Sequence, residues 1–100
     1  MKHILLVCNA GMSTSMLVKK MQKEAEASKI DVSIEAKPLS EAKKDLANYD
    51  CILLGPQIRY ELKNVKAMAN GLPVDAINMQ DYGMMNGKKV LKTALKMMGE

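Results

Sequence analysis

Phenylalanine and tryptophan are absent from these 100 residues, and three tyrosines supply all the aromatic surface. A net charge of +4 invites a nucleic-acid reading, but the tyrosines do not interleave with the basic residues, so the base-stacking platforms are missing. Lysines carry nearly all the charge, scattered over Lys19, Lys20, Lys23, Lys43, Lys44, Lys88, Lys89, Lys92 and Lys96. That scatter fits solvated helix faces, and a mildly basic surface also helps an acidic or phosphorylated protein partner to dock. Two cysteines make no disulfide framework and point to a reducing, cytosolic setting. The apolar run in MKHILLVC stops after about five residues, short of the roughly 7–15 of a signal-peptide core. No run approaches the roughly 20 apolar residues of a membrane span. The length suits one domain, residues 1–100, with a single core. No metal site, cofactor, nucleic acid or membrane insertion is expected, and the chain alone is expected to be monomeric.

Four short apolar runs recur at similar spacing: HILLVC (3–8), DVSIEA (31–36), DCILLG (50–55) and PVDAIN (73–78). HILLV and CILL are continuous, as strands buried on both faces are; VSIEA alternates, which suits an edge strand. Segments of helical character separate them. Residues 14–28 set Leu17, Met21 and Ala25 at steps of four. A second segment is expected from an N-cap at Ser40 to about Asn48. A third covers 59–70 and stops at Asn70-Gly71. A fourth is capped by Asn86 and carries Val90, Leu91, Ala94, Leu95 and Met98 on its apolar stripe. This alternation predicts an α/β domain with an open four-stranded parallel sheet, order 2-1-3-4, and helices on both faces, similar to flavodoxin-like and low-molecular-weight tyrosine phosphatase folds. Ligands of such sheets sit beyond the carboxyl ends of the strands, at the switch between strands 1 and 3. Those ends are Cys8, Gly55 and, one strand further, Asn78.

The stretch CNAGMSTS therefore puts a thiol where the fold would place a site. A cysteine just before a helix faces the positive end of the helix dipole, and the same geometry points unpaired backbone N–H groups at whatever the sulfur carries. Gly11 lets the loop curl, Ala10 and Ser13 allow close approach, and Ser13, Thr14 and Ser15 offer hydroxyls. A phosphate, sulfate or arsenate held against Cys8 by residues 9 to 15, that is by Asn9, Ala10, Gly11, Met12, Ser13, Thr14 and Ser15, suits such a loop. A buried strand-end cysteine followed by an ordinary Ser/Thr cap gives the same pattern.

Two absences narrow the chemistry. Low-molecular-weight tyrosine phosphatases have the pattern C-x-x-x-x-x-R-S, in which the Arg clamps the phosphoryl group. Here the sixth residue after Cys8 is Thr14, so the strongest bidentate electrophile is missing. The only histidine, His3, lies five residues up the same strand, about 16 Å away at ~3.3 Å per residue. A phosphate-cradling thiol without these partners receives and passes on a group rather than hydrolysing its ester. A phosphatase or arsenate reductase of similar fold, and a non-catalytic anion-binding module, remain as alternatives.

HILLVCNAGMSTSMLV, ILLGPQIRYEL and PVDAINMQDYG together resemble the IIB component of the lactose/cellobiose (chitobiose) family of the bacterial sugar phosphotransferase system, essentially end to end. The resemblance implies that Cys8 is phosphorylated by the phosphohistidine of a IIA protein and passes the group to a disaccharide bound in a membrane IIC protein. It implies a cytoplasmic chain, transiently at the inner face of the membrane. Gln57, Arg59 and Tyr60 are expected to offer polar contacts on a partner-facing rim, joined by Asp81 and Tyr82. Cys51 opens strand 3 and is expected to be an inert core thiol, about 13 Å from Cys8, beyond the ~7 Å that a disulfide spans. Of the ten methionines most are expected in the core, with Met12, Met16, Met79, Met84 and Met85 near the rim.

Overall fold

Ile4, Leu5, Leu6 and Val7 are completely buried, and that run of four decides the architecture. Successive side chains of a strand point to opposite faces, so both faces of this strand need cover. The computed structural model describes residues 1–8 and 11–99, without the side chains of residues 11–13. Among the described residues the strands are β1 (Lys2–Cys8), β2 (Val32–Pro38), β3 (Cys51–Leu54) and β4 (Val74–Ala76). All pair in parallel, in the order β2-β1-β3-β4. The α-helices are α1 (Gly11–Ala27), α2 (Leu39–Asp45), α3 (Leu62–Ala69), α4 (Met79–Gly83) and α5 (Gly87–Met97). The expected sheet, its order and its α/β class are all present.

Ile4 and Leu6 join Leu53 and Ile34 under α1 and α5, which contribute Leu17, Val18 and Met21, and Val90, Leu91 and Ala94. Leu5 and Val7 join Ile52 and Leu54 on the other face, under Ala42 of α2 and Val65 and Ala69 of α3. Each fully buried Leu or Ile is worth about 1.5–3 kcal/mol relative to exposure, so β1 is the centre of both halves of the core. Helices α1 and α5 come unusually close. A Cβ at Gly87 would lie 2.7 Å from the carbonyl carbon of Lys20 and 2.8 Å from the amide nitrogen of Met21.

The helix ends follow their residues. Asn86 caps α5 by accepting from the Lys89 amide at 3.1 Å, and α3 stops where Asn70 and Gly71 both turn to positive φ, as expected. Other boundaries differ. Ser40 does not cap α2; Pro38 is the N-cap, and Ser40 sits inside the first turn. Proline tolerates that place because its fixed φ suits the extended N-cap conformation. The expected 59–70 helix is preceded by a 3-10 segment, Pro56–Glu61, before α3 proper. Helix α1 starts three residues before the expected 14. The five-residue α4 was not foreseen.

The methionines correct the composition-based expectation. Met21 is the one methionine that is fully buried among the described side chains, while Met1, Met16, Met68, Met79 and Met84 are exposed. Met85, Met97 and Met98 pack half-buried against the core edge.

Candidate functional site

Cys8 is the last residue of β1 and is 2% exposed. On one side its register partner is Pro38. On the other, Gly55 continues the β3 pairing by donating its N–H to the Val7 carbonyl at 2.8 Å. A Cβ on Gly55 would stand 3.6 Å from the Cys8 Cβ, and 2.9 Å from the Gln57 Oε1, because Gln57 folds back over this glycine. The switch between β1 and β3 thus brings Cys8 and Gly55 side by side, as the sequence reading expected.

Helix α1 begins at Gly11, three residues beyond Cys8 at the end of β1. The first four N–H groups of a helix have no partner within it, and they carry the positive end of the dipole. Residues 11 to 13 therefore bring amides without a partner inside the helix close in sequence to the thiol, an arrangement fit to stabilise an anion. Asn9 and Ala10 lie outside the described residues, as do the side chains of Gly11, Met12 and Ser13. Ser15 is exposed. Thr14 differs from the expected picture of a hydroxyl facing the loop. It is completely buried, and its Oγ1 lies 3.0 Å from the Tyr82 hydroxyl.

That contact relocates two of the five rim residues. Gln57, Arg59 and Tyr60 are exposed, Tyr60 at 74%. Tyr82 is turned inward at 7%, with its ring in the core cluster under α1 and α5. Asp81 is buried too, its carboxylate 3.7 Å from the Lys89 ammonium. Both belong to α4, whose first turn is capped by the Asn78 side chain accepting from the Gln80 and Asp81 amides at 2.8 and 3.3 Å. The cap gives two first-turn amides of this short helix a partner, and its Asp81 and Tyr82 are buried. The missed signal was Asn78 followed three residues later by Asp81, an N-cap pattern after a strand. Met16, Met79 and Met84 are the exposed apolar residues here, at 57%, 72% and 71%. An open cleft of about 510 Å³ lies between Arg59, Pro56, Asn78, Gln80 and Asp81. Cys8 does not line it.

The two other candidate groups fall away from the site. Cys51 pairs in register with Ile4, four residues up β1 from Cys8, and both thiols are free. Burial, reinforced by the Asp75 and Asp50 carboxylates, pushes the Cys51 thiol up to about 12, so it stays protonated and inert. His3 is exposed near the start of β1, where its backbone amide donates to the Asp50 carboxylate at 2.8 Å. Among the described residues no group of three or more His, Cys, Asp or Glu could hold a metal ion, and no helix is long and apolar enough to cross a membrane.

Comparison with known proteins bears on the chain as a whole. The family model described as PTS system, Lactose/Cellobiose specific IIB subunit, matches residues 3–93. The galactose-specific EIIB component of Lactococcus lactis subsp. cremoris is 47% identical, over 97% of this chain and 96% of its own. The cellobiose-specific EIIB component of Lactococcus lactis subsp. lactis is also 47% identical with the same coverage. The solution structure of the cellobiose-specific IIB component from Borrelia burgdorferi superposes with a TM-score of 0.83 at 41% identity, covering 98% of this chain and 92% of that one.

Proposed function

The chain belongs to the lactose/cellobiose-specific IIB family of the phosphotransferase system, and on that premise we propose that Cys8 is the residue that carries the phosphoryl group. IIB components are phosphotransferase components that work with IIA and IIC partners. The observation that supports Cys8 is its place at the carboxyl end of a central strand, three residues before Gly11, which opens α1.

In the first step the Cys8 sulfur attacks the phosphohistidine of a IIA protein. The S–P bond forms as the P–N bond breaks, the thiol's proton passes to the ring, and neutral imidazole leaves. The phosphocysteine rests against the amides of residues 9 to 15, which offset its charge without an arginine to drive hydrolysis. In the second step a sugar hydroxyl held by the IIC protein attacks phosphorus and gives up its proton; the S–P bond breaks and the thiol is regenerated. The chain works in the cytoplasm and meets the inner face of the membrane through the IIC protein. Gln57, Arg59 and Tyr60 supply the polar part of the docking rim, and exposed Met16, Met79 and Met84 its adaptable apolar part, suited to two successive partners. The sugar is a disaccharide of the cellobiose, chitobiose or lactose type. Two relatives equally similar to this chain are named for different sugars, which supports a choice of sugar made in the membrane partner rather than here.

Mixing the protein with phosphorylated IIA protein, and following phosphate by mass spectrometry and phosphorus NMR, tests the assignment. A single label on Cys8 is expected, lost in Cys8→Ser. Label on Cys51, a serine or His3 with Cys8 unmodified overturns it. Because the cradle is mostly backbone, Gly11→Val is expected to impair uptake of phosphate more than Ser13→Ala.

A further inference from the structure

Helix α1 is held from one neighbouring block at two points. Its middle, at Lys20 and Met21, meets Gly87 at the start of α5 in backbone contact. Its first turn is met by the Tyr82 hydroxyl, 3.0 Å from the Thr14 Oγ1 and 68 residues away in sequence. Both holding points belong to one stretch of chain, α4 running into α5. Asn78 caps α4, the Tyr82 amide donates to the Asn78 carbonyl at 2.9 Å, and the Asn86 amide donates to the Asp81 carbonyl at 2.8 Å. Asn86 then caps α5. The Tyr82 ring therefore stands on a doubly capped support.

Thr14 is the fourth residue of α1 and directly follows residues 11–13, whose amides have no partner inside the helix. The side chain that is clamped therefore adjoins the amides offered to the anion and holds the turn that carries them. Leu17, Val18 and Met21 pack α1 on the core without directional bonds, and the Tyr82 contact adds a directional hold at the first turn, beside the end of β1. Both hydroxyls are buried, so each has the other as its partner in place of water, and the bond has a narrow range of geometries.

We infer that Tyr82 is a positioning residue for phosphoryl transfer: through Thr14 it fixes the first turn of α1 so that its amides meet the phosphoryl group on Cys8. The inference rests on the assignment of Cys8 as the phosphorylated residue. It gives Tyr82 a role different from partner contact, since its side chain faces the interior.

The test uses the full chain with phosphorylated IIA protein as donor. Tyr82→Phe removes the hydroxyl and keeps the ring; Thr14→Val removes the other half, and Thr14→Ser keeps it. Phosphate uptake by Tyr82→Phe and Thr14→Val is expected to fall about threefold to tenfold in kcat at unchanged KM for the donor, the scale of one hydrogen bond. The double variant is expected to be no slower than the slower single one, and Thr14→Ser to restore most of the rate. The phosphorus resonance of phosphorylated Cys8 is expected to shift in Tyr82→Phe, while circular dichroism shows the fold retained. A Tyr82→Phe protein with wild-type kcat and an unmoved phosphorus resonance overturns the inference; so does a change confined to KM, which marks a docking contact. If the wild-type protein carries the label elsewhere than Cys8, the assignment of Cys8 itself fails. If Cys8 is labelled and Tyr82→Phe behaves as wild type, only the positioning role fails.

Discussion

The amide of Gly55 donates to the carbonyl of Val7 at 2.8 Å, so β1 and β3 are still paired where Cys8 ends its strand. Gly55 has φ −61° and ψ 149°, values open to any residue, so its lack of a side chain concerns space and not backbone strain. An added methyl meets the flexible end of Gln57 first, and Cys8 only at 3.6 Å. Gly55→Ala is therefore expected to fold with a loss below about 1 kcal/mol and to keep phosphate uptake, whereas Gly55→Leu crowds Cys8 and is expected to lose uptake. Parallel urea titration and labelling of the two variants check both halves of this expectation.

Gly87 offers the opposite case. The groups its Cβ would strike are the Lys20 carbonyl carbon and Cβ and the Met21 amide nitrogen at 2.7–2.8 Å, and none of these can swing aside as the far end of a side chain does. Gly87→Ala is expected to cost about 1–3 kcal/mol through separation of α1 from α5. Gly83, with nothing within 4 Å of its added Cβ, serves as control: Gly83→Ala is expected to be neutral or stabilising by up to about 1 kcal/mol. Equal losses for the two substitutions in thermal melts would contradict the close helix approach.

Cys51 predicts a pH dependence. Its folded thiol titrates near about 12 against an ordinary 9.0. The stability it supplies is fully present below pH 9.0 and is lost as pH rises toward 12, because there the unfolded chain gives up a proton that the folded chain retains. The stability difference between wild type and Cys51→Ala is expected to narrow from pH 8 to pH 11, as measured by denaturant midpoints. Native protein is expected to resist alkylation at Cys51, with labelling appearing on denaturation.

Lys29 follows α1 with φ 56°, a left-handed conformation that costs a residue with a Cβ roughly 1–2 kcal/mol. The turn closes α1 through the Ile30 amide on the Ala25 carbonyl at 2.8 Å. Lys29→Gly is expected to stabilise the protein by about 1 kcal/mol, with no effect on phosphate uptake. A lowered urea midpoint would contradict it.

Topology was legible because HILLV and CILL are apolar without alternation, which only strands covered on both faces require. Cys8 was legible as a site candidate for the same reason: once β1 and β3 are central, their ends fix where the switch lies. Asn70-Gly71 and Asn86 were legible because capping chemistry is local. What stayed hidden is set by contacts far apart in sequence. Five residues of α4 are too few to show a helical period, so DYG reads as loop and its two polar side chains as surface. Nothing local to Thr14 marks its hydroxyl as the partner of Tyr82. The methionines were misjudged because composition says how many there are, not which of them the closely packed interior excludes.

The buried Thr14 also bears on how this scaffold could evolve. It occupies the sixth place after Cys8, where a hydrolytic relative of the fold carries its phosphate-clamping arginine. A guanidinium introduced there would enter a space already filled by the Tyr82 ring and hydroxyl, and a buried charge is costly unless paired. Thr14→Arg alone would thus unsettle the fold before it could gain hydrolysis. The threonine–tyrosine pair thus closes this position to the arginine on which such hydrolysis depends.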